Sequence, residues 1–349
     1  MSEISEKYKN IKQRDEYIKS IEKFIDDSKI KADNNRKVKT ADKENLRKQY
    51  IDTLGYPLNC YEKFKQEEMV KTEPLETDEN NEDSENMTIT RYQLEVMPGF
   101  WFSGILYEPK ERSEDKEDKN ERNALVIAQH GGAGTSEIVG SLVLDSANYN
   151  HMVKRVIRKG ITVFAPQLLL WAPEIYGNEG YNRVNIDQKL KQLGGSITAL
   201  EIFCIMRSID YFAGLDCIDD SRIGMVGLSY GGMYTLYTAA ADVRIKVALS
   251  SCWFGERLDH VRTDWFYFNQ YNAFVDEEVG SLILPRKLYV EIGKSDGAFP
   301  PEKAEPYLTG LTEYAKIEGC ADSLKIKVFD GGHELDKADD GIKFFIENL

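Results

Sequence analysis

The sequence predicts an α/β fold in which an eight-stranded, mostly parallel sheet is covered by helices on both faces. After residue 123, short apolar runs alternate with helical stretches, which is typical of parallel strands joined by helices. Two β-rich segments precede this region and predict an antiparallel pair. The first 87 residues lack both patterns. We therefore predict a helical N-terminal extension over residues 1–87, including an acidic linker, and an α/β domain over residues 88–349.

The N-terminal extension contains two predicted helices. The second of these helices is predicted over residues 42–54 and is followed by Gly55 and Pro57, two residue types that commonly follow helices. Residues 73–85 contain seven acids and no base, which predicts a solvated linker. The first helix is indicated by apolar residues that recur at helical spacing, namely Tyr8, Ile11, Ile18, Ile21 and Ile25.

The α/β domain is predicted to begin with strands over residues 88–96 and 101–107, joined at Pro98-Gly99. A charged loop over residues 110–122 follows. Six further strands are predicted at residues 124–128, 161–165, 222–226, 245–249, 287–292 and 324–329. The helices between and after them are predicted at residues 146–159, 189–212, 231–240, 301–318 and 338–347.

Composition limits the function classes. The 349 residues carry a net charge of −14, which argues against nucleic acid or an anionic membrane surface as a partner. The chain shows no apolar signal segment and no stretch of about 18 apolar residues, so we expect a cytoplasmic protein. Five scattered cysteines without a CxxC pair predict reduced thiols. The four histidines lie far apart in sequence, so no metal site is predicted.

The strand predicted at residues 222–226 runs into a G-x-S-x-G motif at residues 227–231, and a helix follows. In this strand–turn–helix context the motif holds an exposed serine at the helix N-terminus, where free N–H groups favour developing negative charge. The glycines on either side leave room for the neighbouring strand and helix. Ser229 is therefore the candidate nucleophile.

A nucleophilic serine needs a general base, and the base needs an acid that orients it. Only His260 and His333 follow Ser229, and His333 follows the last predicted strand, at the sheet edge where Ser229 also projects. We therefore prefer His333. The acid is expected after the preceding strand, which makes Asp296 the first choice. The alternative acids are Asp259 and Glu256, whereas Glu291 and Asp330 fit less well.

The oxyanion that forms in acyl transfer needs N–H donors. The expected donors are the backbone N–H of Tyr230 and one N–H of the glycine-rich loop after the 124–128 strand. Either Gly132 or Ala133 supplies the second donor, and the sequence does not choose between them. His130 is expected to hydrogen-bond within this loop rather than to act as a base.

The motif segment RIGMVGLSYGG at residues 222–232 resembles the dienelactone-hydrolase and acetyl-xylan-esterase-like branch of the α/β hydrolases. The segments GSITALEIFCIMRSIDYF at 195–212 and AADVRI at 240–245 share this resemblance, which covers residues 88–349. RKQYIDTLGYP at 47–57 resembles a helix that precedes the domain in such esterases. The resemblance implies an α/β-hydrolase catalytic domain, with Ser229, Asp296 and His333 at the triad positions and no cofactor. Dienelactone hydrolases proper use cysteine where this chain has serine.

We therefore expect a serine esterase that cleaves a small ester, of short-acyl or acetyl type, through an acyl-enzyme. A serine peptidase of the same fold and a non-catalytic binding protein are the alternatives. Candidate pocket residues are Trp253 and Trp265, in the aromatic-rich segment after the 245–249 strand, and Trp171. The N-terminal helices either cover the site, form a homo-oligomer or pack on the sheet edge.

Overall fold

A computed structural model describes residues 9–36, 42–64, 69–76, 87–110, 122–142, 148–176, 181–259 and 262–349. At its centre lies a sheet of nine strands in the order β1-β2-β3-β5-β4-β6-β7-β8-β9. The strands are β1 Val70–Pro74, β2 Met87–Met97, β3 Phe100–Pro109, β4 Asn123–Gln129, β5 Thr162–Pro166, β6 Ile218–Leu228, β7 Ile245–Ser251, β8 Lys287–Gly293 and β9 Leu324–Phe329.

All eight predicted strands are present, and the six from β4 to β9 are parallel to one another. The ninth strand, β1, pairs antiparallel with β2, and β3 pairs antiparallel with both β2 and β5. The sequence missed β1 because Glu73 and Pro74 fall at the start of the predicted acidic linker. As an edge strand with an exposed surface, β1 tolerates a proline and carries no apolar alternation. Residues 77–85 of that linker lie outside the described residues.

The helices in the described part of the chain flank this sheet. They are α1 Ile11–Asn35, α2 Lys43–Leu54, α3 Ser136–Val139, α4 Met152–Ile157, α5 Pro173–Tyr176, α6 Arg183–Gln192, α7 Ile197–Ala213, α8 Tyr230–Ala241, α9 Gln270–Ala273, α10 Asp276–Ser281, α11 Pro301–Ile317 and α12 Asp340–Glu347. Short 3₁₀ turns occur at Leu58–Phe64, Arg257–Asp259, Thr263–Trp265 and Ala321–Ser323.

The helix predicted over residues 189–212 is wrong, because the structure divides it into α6 and α7. The break lies at Gly194, whose φ is +82° and whose carbonyl accepts a hydrogen bond of 3.0 Å from the N–H of Tyr56. A Cβ on Gly195 would stand 2.0 Å from the carbonyl oxygen of Tyr56, so this close approach of the N-terminal segment requires glycine. The predicted helix over 146–159 is observed only as α4, and residues 143–147 and 111–121 lie outside the described residues.

The two faces of the sheet bury separate apolar cores. Because side chains alternate along a strand, Leu125 and Ile127 of β4 enter one core, whereas Val126 and Ala128 enter the other. The first core is covered by α7 and α8, and the second by α4 and α12. Helices therefore lie on both faces, as the sequence predicts. In the described part of the chain, none of these helices is long and apolar enough to cross a membrane.

The two N-terminal helices differ in their contacts. In α2, Tyr50 and Leu54 are buried in the core, and Arg47 donates hydrogen bonds to the carbonyls of Ala240 and Leu282 at 2.9 and 2.8 Å. In α1, no residue is buried, and Ile25 is 50% exposed. The second helix thus stabilises the core of the α/β domain, whereas the first contributes little apolar burial.

Replacing Leu54 by alanine should lower the free energy of unfolding by about 3 kcal/mol, since a fully buried leucine leaves a cavity when it is truncated. The matched variant Ile25→Ala should change it by less than about 0.5 kcal/mol, because half of that side chain already faces solvent. Chemical denaturation of both variants measures the two values. Equal effects would contradict the different packing of α1 and α2.

Candidate active site

Ser229 occupies a strained turn between β6 and α8. Its φ is +62° and its ψ is −123°, a conformation that residues with a Cβ rarely adopt. Two backbone hydrogen bonds of 2.9 Å hold it, one from its N–H to the carbonyl of Ser251 and one from the N–H of Met233 to its carbonyl. The hydroxyl-bearing residue is therefore presented at the N-terminus of α8.

The glycines of the turn are required by close backbone contacts. A Cβ on Gly227 would lie 2.3 Å from the carbonyl oxygen of Gly231, and a Cβ on Gly231 would lie 2.3 Å from that of Gln129. Both distances are shorter than any real Cβ contact, so larger residues would move the turn or the adjacent strand. The motif therefore has a steric basis in the structure.

His333 and Asp296 form a hydrogen-bonded pair on the loops after β9 and β8. His333 Nδ1 lies 2.8 Å from Asp296 Oδ2, and the carboxylate of Asp296 is fully buried. The other oxygen of Asp296 accepts hydrogen bonds from the N–H groups of Ala298 and Phe299, at 2.8 and 2.9 Å. These bonds fix the position of the carboxylate. The carboxylate in turn orients the imidazole of His333, and Nε2 is the ring nitrogen that is not bonded to Asp296.

The electrostatics of Asp296 favour its charged form. Burial by itself would raise the pKa of Asp296, but hydrogen bonds from His333 and Phe299 outweigh burial, so the pKa lies below its usual value. The carboxylate therefore stays ionised beside the imidazole. An ionised partner is what a histidine needs to accept a proton and remain oriented.

Cys252, the first residue after β7, is a neighbour of this pair that the sequence did not reveal. Its thiol, a carboxylate oxygen of Asp296 and a ring nitrogen of His333 lie within 4.8 Å of one another. Burial, followed by the charge of Asp296, raises the pKa of Cys252 to about 12, so the thiol stays protonated, and it donates to the carbonyl of Glu334 at 3.4 Å. Its position directly after a strand of the parallel sheet was the available sequence signal. None of the five cysteines forms a disulfide.

The alternative acids lie in other interactions. Asp259 pairs with Lys303 at 2.6 Å, and Glu256 pairs with Lys29 at 2.9 Å. Glu291, in β8, is buried and accepts the N–H of Asp336. The alternative base, His260, lies outside the described residues.

A cavity of about 730 Å³ opens above the strained turn. Ser229 and His333 both line it, together with Gly132 and Ala133, so the structure brings these predicted residues to one place. Its remaining lining residues are Gly131, Asn148, Tyr149, Leu170, Trp171, Ala172, Pro173, Leu228, Tyr230, Arg262, Trp265, Ala298 and Phe299. A cavity of about 810 Å³ near α2 is larger but has neither a serine nor a histidine in its described lining.

Two of the three predicted tryptophans line the cavity. Trp171 and Trp265 form part of its wall, and Trp265 stacks on Phe299 with ring centroids 5.6 Å apart. The prediction of a substrate contact is wrong for Trp253, because that side chain is fully buried behind Trp265 with centroids 5.5 Å apart. The guanidinium of Arg257 covers the ring of Trp253 at 4.0 Å.

The glycine-rich loop after β4 forms a tight turn at the cavity. The N–H of Gly134 donates to the carbonyl of Gly131 at 3.1 Å, and Ala133 has a φ of +56°, as in a type II turn. The N–H of Ala133 is occupied by the carbonyl of Leu170 at 2.9 Å, and that of Gly131 by the hydroxyl of Tyr149 at 2.6 Å. The N–H of Gly132 has no acceptor in the described part of the chain.

His130 supports this turn from below. Its Nδ1 lies 2.9 Å from the carbonyl oxygen of Gly131, and its Nε2 accepts the N–H of Leu168 at 3.0 Å. Burial lowers the pKa of His130 to about 4, so the ring is neutral near neutral pH. The sequence-based view of His130 as a structural residue of the loop agrees with these contacts.

A cluster of buried charged side chains supports the part of the cavity wall that contains Trp171 and Tyr230. Arg183, at the start of α6, pairs with Glu201 at 2.9 Å and with Asp264 at 2.8 Å. Glu201 accepts the N–H of Leu169 at 2.7 Å, and Asp264 accepts the hydroxyl of Tyr230 at 2.7 Å. The cluster thereby links the segment before Trp171 to the residue that follows Ser229.

Comparisons with known proteins bear on the fold. No protein-family model matches the chain. Over 151 residues, the chain is 28% identical to the hydrolase candidate YtaP of Bacillus subtilis (strain 168). That match covers 40% of this chain and 50% of YtaP, so the chain spans about half the length of this curated relative.

Solved structures of esterases resemble most of the chain in fold. Methylesterase BT1017 matches with a TM-score of 0.63 and 16% identity, over 88% of this chain and 63% of that one. A glucuronoyl esterase from Solibacter usitatus matches with a TM-score of 0.61 and 15% identity, over 89% of this chain and 93% of that one. An acetyl xylan esterase from Paenibacillus sp. R4 matches with a TM-score of 0.56 and 14% identity, over 91% of this chain and 98% of that one. Identities this low show a shared fold, and the α/β-hydrolase fold predicted from the sequence is confirmed.

The pH dependence of stability should report Glu291, which lies beneath the histidine loop. Its Oε1 accepts the N–H of Asp336 at 2.9 Å, and burial raises its pKa to about 7. Between pH 4.5 and 7 the folded protein therefore holds a proton that the unfolded chain releases, so the free energy of unfolding falls as pH rises through this window.

Glu291→Gln removes this titration. Relative to wild type, the variant should gain on the order of 3 kcal/mol in unfolding free energy between pH 4.5 and 7.5, at about 1.4 kcal/mol per pKa unit. Urea denaturation across this pH range measures the difference between the two proteins. Parallel curves would contradict a raised pKa for Glu291.

Proposed function

We propose that this protein is a serine esterase that hydrolyses a small carboxylic ester, of short-acyl or acetyl type. The observation that carries the proposal is the hydrogen bond of 2.8 Å between His333 and Asp296, in which His333 lines the same cavity as Ser229. A strained serine, a fixed imidazole and a buried carboxylate are the three parts of nucleophilic acyl transfer. The resemblance in fold to proteins named as esterases supports the same conclusion.

In the proposed reaction, His333 Nε2 takes the proton of Ser229 as the serine oxygen attacks the ester carbonyl. The alcohol then leaves with this proton, and a water molecule cleaves the acyl-enzyme by the same route. Asp296 holds the imidazole tautomer and stabilises the imidazolium. The low pKa of Asp296 keeps it charged while His333 cycles between its two forms.

The proposed oxyanion donors are the N–H groups of Tyr230 and Gly132. Tyr230 is the first residue of α8, so its N–H faces away from the helix and adds to the positive end of the helix dipole. Of the two loop residues that the sequence left open, Gly132 is favoured because the N–H of Ala133 already donates to Leu170. The cytoplasmic location, the homo-oligomer and the boundary near residue 87 stay predictions from the sequence.

Ser229→Ala should abolish covalent labelling by a fluorophosphonate probe and hydrolysis of p-nitrophenyl acetate. The matched variant Ser221→Ala, which changes an exposed serine of the same strand, should label like wild type. His333→Ala and Asp296→Asn should each lower kcat by roughly 10³–10⁴-fold, because the base or its orientation is lost.

His260→Ala tests the alternative base and should retain activity. Wild-type protein that does not label would contradict serine chemistry. Rapid cleavage of aminoacyl p-nitroanilides, together with no hydrolysis of p-nitrophenyl acetate, would identify a peptidase instead. Near-normal activity in Asp296→Asn would move the acid role to another carboxylate.

Gly132→Pro should lower kcat by about 10²–10³-fold, the usual effect of removing one oxyanion donor. Proline suits the second position of a type II turn, so the backbone of the loop is retained while the N–H is lost. Gly132→Ala serves as the control, because its Cβ would meet only ordinary contacts, at 3.5 Å or more from the Tyr230 ring. Comparable kcat values for the two variants would exclude Gly132 as a donor.

A further inference from the structure

Arg262 brings a positive charge into the lining of the proposed active-site cavity. It is the residue that follows the undescribed positions 260–261, in the segment between β7 and α9. Among the described residues that line the cavity, Arg262 is the one arginine, and none is a lysine, an aspartate or a glutamate. A ligand that reaches Ser229 therefore encounters this guanidinium.

Arg262 is exposed and contacts two aromatic side chains. Its guanidinium carbon lies 5.7 Å from the ring centroid of Trp265, and its Nη1 donates to the hydroxyl of Tyr230 at 3.5 Å. Trp265 stacks on Phe299, and Phe299 stacks on the ring of His333 with centroids 5.8 Å apart. One row of rings thus leads from the arginine to the proposed base, along the wall that a substrate would contact.

The nearby acid does not neutralise this arginine. Asp264 lies two residues away, but its Oδ2 already accepts the Nε of Arg183 and the hydroxyl of Tyr230. No carboxylate in the described ranges forms an ion pair with Arg262. By contrast, the buried Arg183 and Arg257 each have carboxylate partners, Glu201 and Asp276 respectively.

We propose that Arg262 binds a carboxylate carried by the substrate, so that the preferred ester is anionic. This inference rests on the proposed esterase function. A guanidinium offers a planar pair of N–H donors that matches a carboxylate, and the face of Trp265 holds it in position. In a protein of net charge −14, such a local group is needed if an anion is to bind near Ser229.

Two pairs of esters test this proposal, and each pair differs mainly in charge. Monoethyl succinate and ethyl levulinate place the charge or its neutral counterpart on the acyl side. On the alcohol side, 4-acetoxybenzoate is compared with its methyl ester. The quantity measured is the ratio of kcat/KM for the anionic ester to kcat/KM for the neutral one, at pH 7. The pair that shows the preference identifies the side of the ester that faces Arg262.

In wild type, this ratio should favour the anionic ester in at least one pair. Arg262→Gln should lower the ratio about tenfold or more, and Arg262→Glu should lower it further, since a charge-assisted contact is lost and then reversed. Arg262→Lys should restore part of it. Lys294→Gln removes one positive charge from an exposed residue that does not line the cavity, and should leave the ratio as in wild type.

Several outcomes would overturn the proposal. A wild-type ratio near one in both pairs would do so, as would an equal fall for charged and neutral esters in Arg262→Gln, which would indicate a role in shaping the wall. If neutral esters are cleaved in a Ser229-dependent way without charge preference, only the role of Arg262 fails. If no ester is cleaved and the fluorophosphonate probe does not label, the esterase proposal itself fails.

Competition against probe labelling gives a readout that does not need turnover. Succinate should slow labelling of wild type, and in Arg262→Gln about tenfold more succinate should be needed for the same effect. Levulinamide, which is neutral, should protect neither protein preferentially. Equal protection of both proteins by succinate would overturn the proposal even if all four esters prove to be poor substrates.

Discussion

The contact between the Ser229 turn and the backbones of two neighbouring strands is the constraint on which the site depends. A Cβ on Gly231 would meet the carbonyl of Gln129 at the end of β4, and one on Gly232 would stand 2.5 Å from the carbonyl of Ser251 in β7. These are backbone contacts, which cannot yield as side chains can. The glycine-rich loop after β4 and Cys252 after β7 are thereby placed relative to Ser229 by the sheet itself, as the carboxyl ends of adjacent parallel strands.

Buried charges hold the walls of the cavity. Arg183 satisfies both Glu201 and Asp264, and these carboxylates in turn accept groups from Leu169 and Tyr230. Burial of ions costs desolvation energy, so such a cluster need not increase the stability of the fold. Removing one member would leave uncompensated charge next to the site. The role of the cluster is to fix the positions of the α8 N-terminus and of the segment before Trp171.

Local sequence patterns were sufficient for most of the fold and for the core of the candidate site. The six parallel strands, the turn at Ser229 and the loop positions of His333 and Asp296 follow from runs and spacings within short segments. Local sequence patterns predicted the wrong structure where a contact with a residue far away in the chain determines the local conformation. Tyr56 imposes the break at Gly194, and pairing with β2 makes a strand of residues that otherwise resemble a linker.

The same reason explains the side chains that the sequence did not reveal. Composition marks the segment after β7 as aromatic, but it does not say which ring faces the cavity. Trp265 lines it, and Trp253 lies behind, where Arg257 covers its ring. Cys252 and Tyr149 are likewise placed by contacts between remote parts of the chain, with Asp296 and Gly131 respectively. A motif predicts which chemistry the site supports, whereas packing decides which neighbours tune it.

The overall charge and the cavity charge act over different distances. A net charge of −14 repels anions, but salt screens exposed charges beyond about 8 Å at physiological ionic strength. Arg262 is an exposed residue of the cavity lining, and its guanidinium carbon lies 5.7 Å from the ring centroid of Trp265, so its charge acts on a ligand at contact distance. Selection of an anionic ester would therefore depend on contact rather than on long-range attraction.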